Sequence, residues 1–367
     1  MPKEKPIPVP GKNYFAWRYR EHTKTKHDML ENYLEKWFKI LGKYHPVNYF
    51  DCFGGCGVYT SDGVNFESGS PILAAQTWLN KGNKANDFRM ICIEKEPSIL
   101  ENLKKVFSDY LPNLKKIYFI QDDFDHTVNA ILDGIDKSDN MLAPSFFFVD
   151  PFGFSLNYST IKRIMSVEKS EVFLNFMYNS VQRHLTNQKA ENCMDELFGC
   201  EQWRDIASYP SRSKEEAIIG LYRDQLKKIS DYVIPFRVCY SHRDQTIYYL
   251  VHLTNNLKGS SIMKSCVAET NNGVLSYLGK QKNQFTFFET STYKEEDLRK
   301  LLLEKFSSRV MTFNEILAQL IDSTPYLEKD ISSAVLNLYN GNLANIKRVS
   351  SKKQSSKPTR EDIIEIY

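Results

Sequence analysis

Residues 51–57, with the sequence DCFGGCG, carry the first side chains suited to chemistry. Asp51 ends a short apolar run, and Phe53, Gly55 and Gly57 follow it. Glycines in such a turn let the backbone approach a ligand closely, because a side chain would fill the ligand's space. The spacing differs from the dinucleotide pattern G-x-G-x-x-G and the turn has no P-loop lysine, which disfavours a nicotinamide or ATP site. A tight strand-to-helix turn without a ligand is the alternative.

Three more acidic positions follow apolar runs. They are Glu94, the pair Asp122 and Asp123 ahead of Phe124, and Asp150 at the start of the sequence DPFG. A carboxylate after a second strand can accept both hydroxyls of a ribose, and one after a third strand can bind an adenine amino group. Because the carboxyl ends of parallel strands share one edge of a sheet, we expect all four positions to converge there. Each acid taken alone could instead cap a helix.

The elements that must position these residues alternate between strands and helices. Apolar runs predict strands over residues 47–50, 88–93, 117–120, 145–149 and 172–177. Helical spacing predicts helices over residues 24–41, 71–79, 97–110, 125–132 and 159–165, with Ser70 as the N-cap before Pro71. Residues 178–232 are predicted to be a helical insertion, and residues 233–240 and 246–253 an antiparallel hairpin. The pattern indicates an α/β fold with a mainly parallel sheet covered on both faces.

The C-terminal part changes character. Helices are predicted over residues 294–306, 313–321 and 327–339, the second opened by a capping box of Thr312 and Glu315. Residues 345–349 and 363–367 are predicted to pair as strands around a basic flap, which completes the pattern of a winged helix. We therefore expect an N-terminal basic segment and helix over residues 1–45, an α/β domain over 46–285 and a winged-helix-like domain with a basic wing over 290–367.

The composition is that of a globular protein of about two domains. Of 367 residues, 48 are Lys or Arg, 45 are Asp or Glu and 42% are hydrophobic, which excludes disordered and collagen-like classes. Residues 1–30 have a net charge of 7 − 3 = +4 and residues 341–367 one of 6 − 3 = +3, so both ends would attract a polyanion. The sequence shows no long apolar stretch and no export signal, which predicts a cytoplasmic protein that does not bind membranes. Its seven cysteines form no C-x-x-C pair, so we expect no disulfide framework and no metal site.

Residues 51–57 resemble the D-x-F-x-G-x-G form of the first motif of class I S-adenosylmethionine (SAM)-dependent methyltransferases. Asp150, Pro151, Phe152 and Gly153 resemble the D-P-P-F/Y motif of enzymes that methylate exocyclic amines of bases, with Phe152 in place of the second proline. A D-P-F-G version is found in the tRNA guanine-N2 dimethyltransferase family. The resemblance implies a Rossmann-like sheet, SAM as the cofactor and an amine acceptor, either adenine N6 or guanine N2.

A closer resemblance covers nearly the whole chain. Arg183 and the motifs in residues 26–34, 50–59, 69–71, 149–153, 175–177 and 197–199 are similar, in order, to the three-Cys-motif partner (TcmP) family. This family is regarded as methyltransferase-like, and its members are encoded beside a three-Cys-motif protein that resembles radical-SAM enzymes. The resemblance makes such a protein a candidate partner and leaves the acceptor open.

A more distant resemblance to the 23S rRNA adenine-N6 methyltransferase family implies roles for individual residues. In that family the Lys-His pair of the N-terminal helix, the serine of G-S-P and the acids after strands two and three surround the cofactor, and the Asp of D-P-P-F/Y is catalytic. The corresponding positions here are His27, Ser70, Glu94, Asp122 or Asp123, and Asp150. Without the resemblance, His27 would be interpreted as a surface residue among lysines.

Methylation of a base amine requires the protein to hold the amine lone pair in line with an activated methyl group and to exclude water. Asp150 and the Pro151 carbonyl are predicted to accept the amine N–H groups while Phe152 stacks on a flipped-out base. Phe152 as a core residue is the alternative. The wing is predicted to contact phosphates, unless it is a solvated loop. Its basic residues are Lys347, Arg348, Lys352, Lys353 and Lys357.

The leading hypothesis is a methyltransferase that acts on a base amine in DNA or RNA. The second is a catalytically silent SAM-binding or winged-helix protein that acts with a three-Cys-motif protein. Methylation of a protein or a small molecule is the third, and a winged helix can equally bind protein.

Overall fold

The structure is a computed structural model of the chain, and it falls into two compact units, Met1–Ile262 and Met263–Tyr367. The residues that it describes are 5–82, 87–138, 141–153, 156–240, 243–269, 275–277, 285–286, 295–349 and 356–367. In this part of the chain, no helix is both long enough and apolar enough to cross a membrane.

The first unit contains eleven strands in its described residues, together with helices on both sides of its main sheet. The strands are β1 (Ile7–Pro8), β2 (Phe15–Arg18), β3 (Val47–Asp51), β4 (Val58–Thr60), β5 (Phe66–Ser68), β6 (Phe88–Ile93), β7 (Ile117–Ile120), β8 (Ser145–Val149), β9 (Ser170–Phe176), β10 (Tyr232–Tyr240) and β11 (Arg243–Thr254). The α-helices are α1 (Glu21–Leu41), α2 (Ser70–Lys81), α3 (Pro97–Tyr110), α4 (Phe124–Asp136), α5 (Tyr158–Ser166), α6 (Tyr178–His184), α7 (Glu191–Phe198) and α8 (Ser211–Leu226). Two 3-10 helices, Gln188–Ala190 and Gln202–Ser208, complete the predicted helical insertion.

The main sheet of this unit runs in the order β10-β11-β9-β8-β3-β6-β7. The pairs from β9 to β7 are all parallel, whereas β11 is antiparallel to both β9 and β10. From β3 the chain first builds β6 and β7 on one side and then β8 and β9 on the other, which is the doubly wound Rossmann-like arrangement. With the antiparallel hairpin at one edge, this is the class I methyltransferase fold, as predicted.

The centre of the sheet is apolar on both faces, because helices cover both sides of a parallel sheet. All five residues of β3 and of β8 are buried. The ring of Phe50 stacks on that of Phe147 with 4.2 Å between centroids, and α1 packs its buried face, which includes Tyr33 and Trp37, against this core. A rigid centre of this kind fixes the carboxyl ends of the strands, where the candidate site lies.

A small sheet in the order β1-β2-β4-β5 was not predicted. It brings residues 7–18, which we call the N-terminal strap, alongside the segment that follows Gly57. Strand β2 pairs with β4 in parallel, with Trp17 opposite Tyr59. The sequence gives little signal for it because β1, β4 and β5 contain only two or three residues each.

The second unit contains the predicted winged helix. Helix α9 (Leu257–Glu269), which was not predicted, contains the boundary between the units. It is followed by β12 (Leu275–Tyr277), β13 (Phe285–Thr286), α10 (Glu295–Phe306), β14 (Arg309–Thr312), α11 (Phe313–Leu320), α12 (Glu328–Asn340), β15 (Ala344–Lys347) and β16 (Ile363–Ile366). Strands β14, β16 and β15 form an antiparallel sheet, and the predicted capping box is present, with Glu315 N donating to Thr312 Oγ1 at 3.2 Å and Thr312 N donating to Glu315 Oε2 at 2.7 Å.

Two details of the sequence analysis need correction. Ser70 is the first residue of α2 rather than its N-cap, which is Gly69. The hairpin loop is shorter than predicted, because β11 begins at Arg243 rather than at residue 246. The predicted domain boundary near residues 285–290 stays a prediction, since it lies largely outside the described residues.

Candidate active site

The glycine turn after β3 has a backbone conformation in which residues other than glycine would be strained. Gly55 has φ +61° and Gly57 has φ +83°, both in the left-handed region that favours glycine. A Cβ on Gly57 would lie 2.6 Å from Leu103 Cδ1, so a side chain there would also collide with α3. The loop is therefore shaped both by backbone conformation and by close packing beneath it.

Glu94, directly after β6, is tied to this turn. Its Oε2 accepts a hydrogen bond from Gly55 N at 3.1 Å, and its Oε1 accepts one from Glu96 N at 2.9 Å. Burial raises the pKa of Glu94, and the backbone N–H groups of Glu96 and Gly55 oppose that rise. The carboxylate thus lies at the mouth of the glycine turn in a fixed orientation.

Asp51 is fully buried at the end of β3. Burial raises its pKa to about 7, against the lowering effect of the hydroxyls of Ser70 and Tyr49. Tyr49 Oη donates to Asp51 Oδ2 at 3.1 Å. Ser70, at the first position of α2, therefore faces this carboxyl group.

The end of β7 carries two acids with different local partners. Asp123 is the N-cap of α4, accepting from Asp125 N at 3.0 Å, and it pairs with Lys95. Asp122 pairs with His126, an interaction that lowers the pKa of Asp122. The buried ring of Phe124 lies 5.6 Å from that of Phe53, so the glycine turn and the end of β7 share an apolar contact.

Asp150, directly after β8, is held by two residues that the site prediction omitted. Lys26 Nζ forms an ion pair with its Oδ2, and Asn175 Nδ2 donates to its Oδ1 at 2.6 Å. The Lys26 side chain is only 9% exposed, so a residue of α1 places a buried positive charge at the carboxyl end of β8. Asn175 Oδ1 is buried and has no hydrogen-bond partner among the described residues. Lys26 and Asn175 both lie in the motifs that resemble the TcmP family, which was the available signal.

His27 is buried rather than a surface residue. Burial, with Lys26 next to it, lowers its pKa to about 3, so the imidazole is neutral. It packs among aromatic rings, 5.5 Å from Tyr59 and 5.7 Å from Tyr19 between centroids. The charge of Asp150 acts in the opposite direction and raises the pKa of His27.

Phe152 is not a core residue, because 71% of its surface is exposed, whereas Pro151 is buried. The Phe152 ring meets Trp17 of β2 edge to face, with 5.5 Å between centroids and an interplanar angle of 80°. Trp17 also lies over the glycine turn, since its Cζ3 is 3.1 Å from the position of a Cβ on Gly55. Trp17 was missed because no pattern in the sequence indicates that the N-terminal strap crosses this edge.

The residues predicted for the wing have different environments. Arg348 is not available to phosphates, because its side chain is 6% exposed and pairs at 2.8 Å with the fully buried Asp362. Lys347 and Lys357 are exposed. Lys352 and Lys353 lie outside the described residues. Within the described ranges there is no group of three or more His, Cys, Asp or Glu side chains that could hold a metal ion.

A comparison with known protein families supports the winged helix in the C-terminal part of the chain. The family model of the GMT-like wHTH domain matches residues 278–349. No curated protein sequence matches the chain. Similar solved structures include a protein from Legionella pneumophila (14% identity, TM-score 0.43, covering 70% of this chain and 95% of that one) and a SAM-dependent methyltransferase from Agrobacterium tumefaciens (9%, 0.38, 70% and 71%). Trm1 from Pyrococcus horikoshii, solved with SAM, is similar over 98% of this chain and 96% of its own, at 9% identity and a TM-score of 0.35. The strand order described above, rather than these distant similarities, defines the fold.

Proposed function

We propose that the protein is a SAM-dependent methyltransferase that acts on an exocyclic amine of a base, adenine N6 or guanine N2, in DNA or RNA. The observation that carries the proposal is the meeting of the glycine turn, Glu94 and Asp150 at one sheet edge. Glu94 is bonded to Gly55, and Asp150 is held by Lys26 and Asn175. The edge is the one at which α/β sheets bind their ligands.

The residues at this edge fit SAM. Gly55 and Gly57 give the turn the left-handed backbone of a glycine-rich loop, and the fixed carboxylate of Glu94 retains lone pairs that can accept from ribose hydroxyls. Asp122, Asp123 and Phe124 would surround the adenine ring, and His27, Asp51, Phe53 and Ser70 complete the proposed cofactor site. When bound, SAM supplies a methyl group already activated by its sulfonium.

The protein's contribution would be to position the acceptor amine. Lys26 pairs with Asp150, whose carboxylate can accept an N–H of the amine and so localise its lone pair. Asn175 Oδ1, which is buried and has no partner among the described residues, can accept the second N–H. The Pro151 carbonyl is the alternative second acceptor, and the exposed ring of Phe152 can stack on the base.

A second candidate is a catalytically silent SAM-binding protein that acts with a three-Cys-motif protein. The observation that favours it is that both oxygens of Asp150 already have protein partners, Lys26 and Asn175. In that case the charge of Asp150 serves to hold α1 against the sheet, and no methyl group is transferred.

Labelled methyl transfer separates the two candidates. The protein is incubated with methyl-labelled SAM and separate pools of DNA, tRNA, rRNA and protein, and S-adenosylhomocysteine binding is measured by calorimetry. We expect label in one nucleic acid pool and a loss of roughly 100-fold or more in Asp150→Asn. The matched control is Asp87→Asn, which removes an exposed carboxylate paired with Lys116 just before β6.

Each outcome has a distinct meaning. Binding of S-adenosylhomocysteine without label in any pool supports the silent candidate, and label in the protein pool alone excludes a base as acceptor. Label that survives Asp150→Asn removes the catalytic assignment. Absence of S-adenosylhomocysteine binding contradicts both candidates.

A further inference from the structure

We propose that the N-terminal strap is part of the acceptor site, with Trp17 as a positioning residue that sets the Phe152 ring for stacking on the acceptor base. The inference rests on the proposed function and extends it to residues outside the methyltransferase motifs. Trp17 contacts both halves of the site: its indole covers Gly55 of the glycine turn and meets Phe152 at 5.5 Å. A single side chain thus links the proposed cofactor loop to the proposed acceptor ring.

The exposures of the two rings are consistent with Trp17 as the positioning residue and Phe152 as the ring that stacks on the base. Trp17 is 7% exposed and Phe152 is 71% exposed. The Trp17 ring is part of the packed structure, whereas the Phe152 ring lies mostly in water, where a base can reach it. Because Phe152 follows Asp150 by two residues, a base stacked on it would have its amino group close to the carboxylate.

The strap is fixed in place by Asn102 of α3, a residue without a role in the proposed chemistry. Asn102 Oδ1 accepts from Phe15 N at 2.7 Å, and its Nδ2 donates to Phe15 O and to Cys56 O, both at 2.9 Å. One buried amide therefore joins the backbone of the strap to the backbone of the glycine turn. Tyr14 adds a second anchor by donating to Asp109 Oδ2 at 2.7 Å.

Trp17 lies in a part of the strap whose backbone is held at two neighbouring points. Asn102 bonds both backbone groups of Phe15, and the pairing of Trp17 with Tyr59 fixes the next part of the strap. The indole is held from both sides, so it can limit the positions open to Phe152. The edge-to-face contact between Trp17 and Phe152 contributes about 0.5–1.5 kcal/mol of stabilisation beyond that of the surface it buries.

The test uses a single-stranded oligonucleotide containing 2-aminopurine, whose fluorescence is quenched on stacking, with the full-length protein and saturating S-adenosylhomocysteine. We expect Phe152→Leu to weaken binding about 5- to 100-fold, the range for loss of one base stack. Trp17→Leu should weaken it about 2- to 10-fold, and Trp17→Phe should restore most of the loss. Tyr118→Leu, which removes another exposed aromatic from the same unit, is the matched control and should bind like the wild type.

The double variant decides between positioning and general structural support. If Trp17 acts through Phe152, Trp17→Leu has little further effect in the Phe152→Leu background. Additive losses, or wild-type binding by Trp17→Leu while Phe152→Leu is weakened, overturn the inference. Asn102→Leu should reproduce the Trp17→Leu defect, and far-UV circular dichroism checks that each variant is folded.

The readout is independent of methyl transfer. If the substitutions of Trp17 and Phe152 have coupled effects on 2-aminopurine quenching but no nucleic acid or protein pool becomes labelled, the acceptor site is supported and the catalytic proposal is contradicted. Label transfer that is insensitive to both substitutions would retain the enzyme and reject the role of the strap.

Discussion

The two units each bury a lysine, and they use it differently. In the first unit, Lys26 pairs with Asp150 beside an amide oxygen of Asn175 that has no partner among the described residues. In the second unit, Lys264 Nζ donates to the carbonyls of Ile321, Thr324 and Tyr326 at 2.6–2.8 Å, which uses all three of its N–H groups. A cation with every donor satisfied by backbone serves folding. A cation beside an unsatisfied acceptor is what the proposed acceptor site requires.

The largest expected contrast comes from removing one buried cation from each unit. Lys26→Met should lower methyl transfer about 100-fold, because Asp150 loses the charge that orients it. Arg348→Met should instead lower the free energy of unfolding of the second unit by about 3–5 kcal/mol, since it leaves the buried Asp362 unpaired. Labelled transfer and urea unfolding measure the two effects. Full activity in Lys26→Met would reduce the Lys26–Asp150 pair to a structural contact.

The units should also respond to pH with opposite signs. The pKa of Asp51 is raised from 3.8 to about 7, so its carboxyl binds more protons folded than unfolded between these values, and stability of the first unit falls as pH rises from 4 to 7. The pKa of Lys264 is lowered by burial from 10.5 to about 7, so the unfolded chain binds more protons above pH 7, and stability of the second unit rises with pH over that range. Each effect is at most about 5 kcal/mol.

All four tryptophans, at positions 17, 37, 78 and 203, lie in the first unit, so their fluorescence follows its unfolding, while hydrogen exchange follows the second unit. Asp51→Asn should remove the first slope and Lys264→Met the second. Slopes that persist in these variants would assign the pH dependence to other groups.

Two glycines of the first unit provide a smaller contrast. Gly57→Ala should cost about 1–3 kcal/mol and weaken S-adenosylhomocysteine binding, because φ is +83° and the Cβ would meet Leu103 at 2.6 Å. Gly134→Ala should stabilise by about 0.5–1 kcal/mol, since its Cβ would meet no atom within 4 Å in helix α4. Thermal unfolding and calorimetry check both. Equal stabilities would show that the glycine turn is not constrained.

The smallest expected effect concerns the wing. If Lys347 and Lys357 contact phosphates, replacing both by Ala should lower the slope of log affinity against log salt by roughly 1–2. Arg360→Ala is the contrasting change, because Arg360 is bound to Glu328 at 2.6 Å and should leave the slope nearly unchanged. An unaltered slope in the Lys347→Ala, Lys357→Ala variant would assign the wing to another role, such as protein binding.

Much of the fold could be predicted because the signals were local. The predicted bounds of β6, β7, β8 and α3 match the structure, since each is a strongly periodic or continuously apolar run between clear breaks. The capping box at Thr312 was equally readable. The short strands of the N-terminal strap sheet, and α9, had no comparable local signal, because their stability comes from the partners on which they pack.

In the candidate site, too, the positions that depend on local signals could be predicted, and the contacts between distant residues could not. The positions of Asp51, Glu94 and Asp150 follow from strand ends, and the resemblance to known families supplied their expected roles. The partners of Asp150 lie in motifs that resemble a known family, but no local pattern indicated that they contact Asp150, because Lys26 is 124 residues away and Asn175 is 25 residues away. Arg348 has the same charge as Lys347 and lies next to it, yet only Arg348 is buried.

By itself the sequence determined the order of the elements and the sheet edge at which the acids lie, because periodicity and strand direction are properties of neighbouring residues. Tertiary structure decided which charged groups are bound to each other and which remain exposed. That choice depends on the docking of α1 on the sheet, on the path of the N-terminal strap over Gly55 and on the burial of Asp362, and each of these joins residues that are distant in the chain.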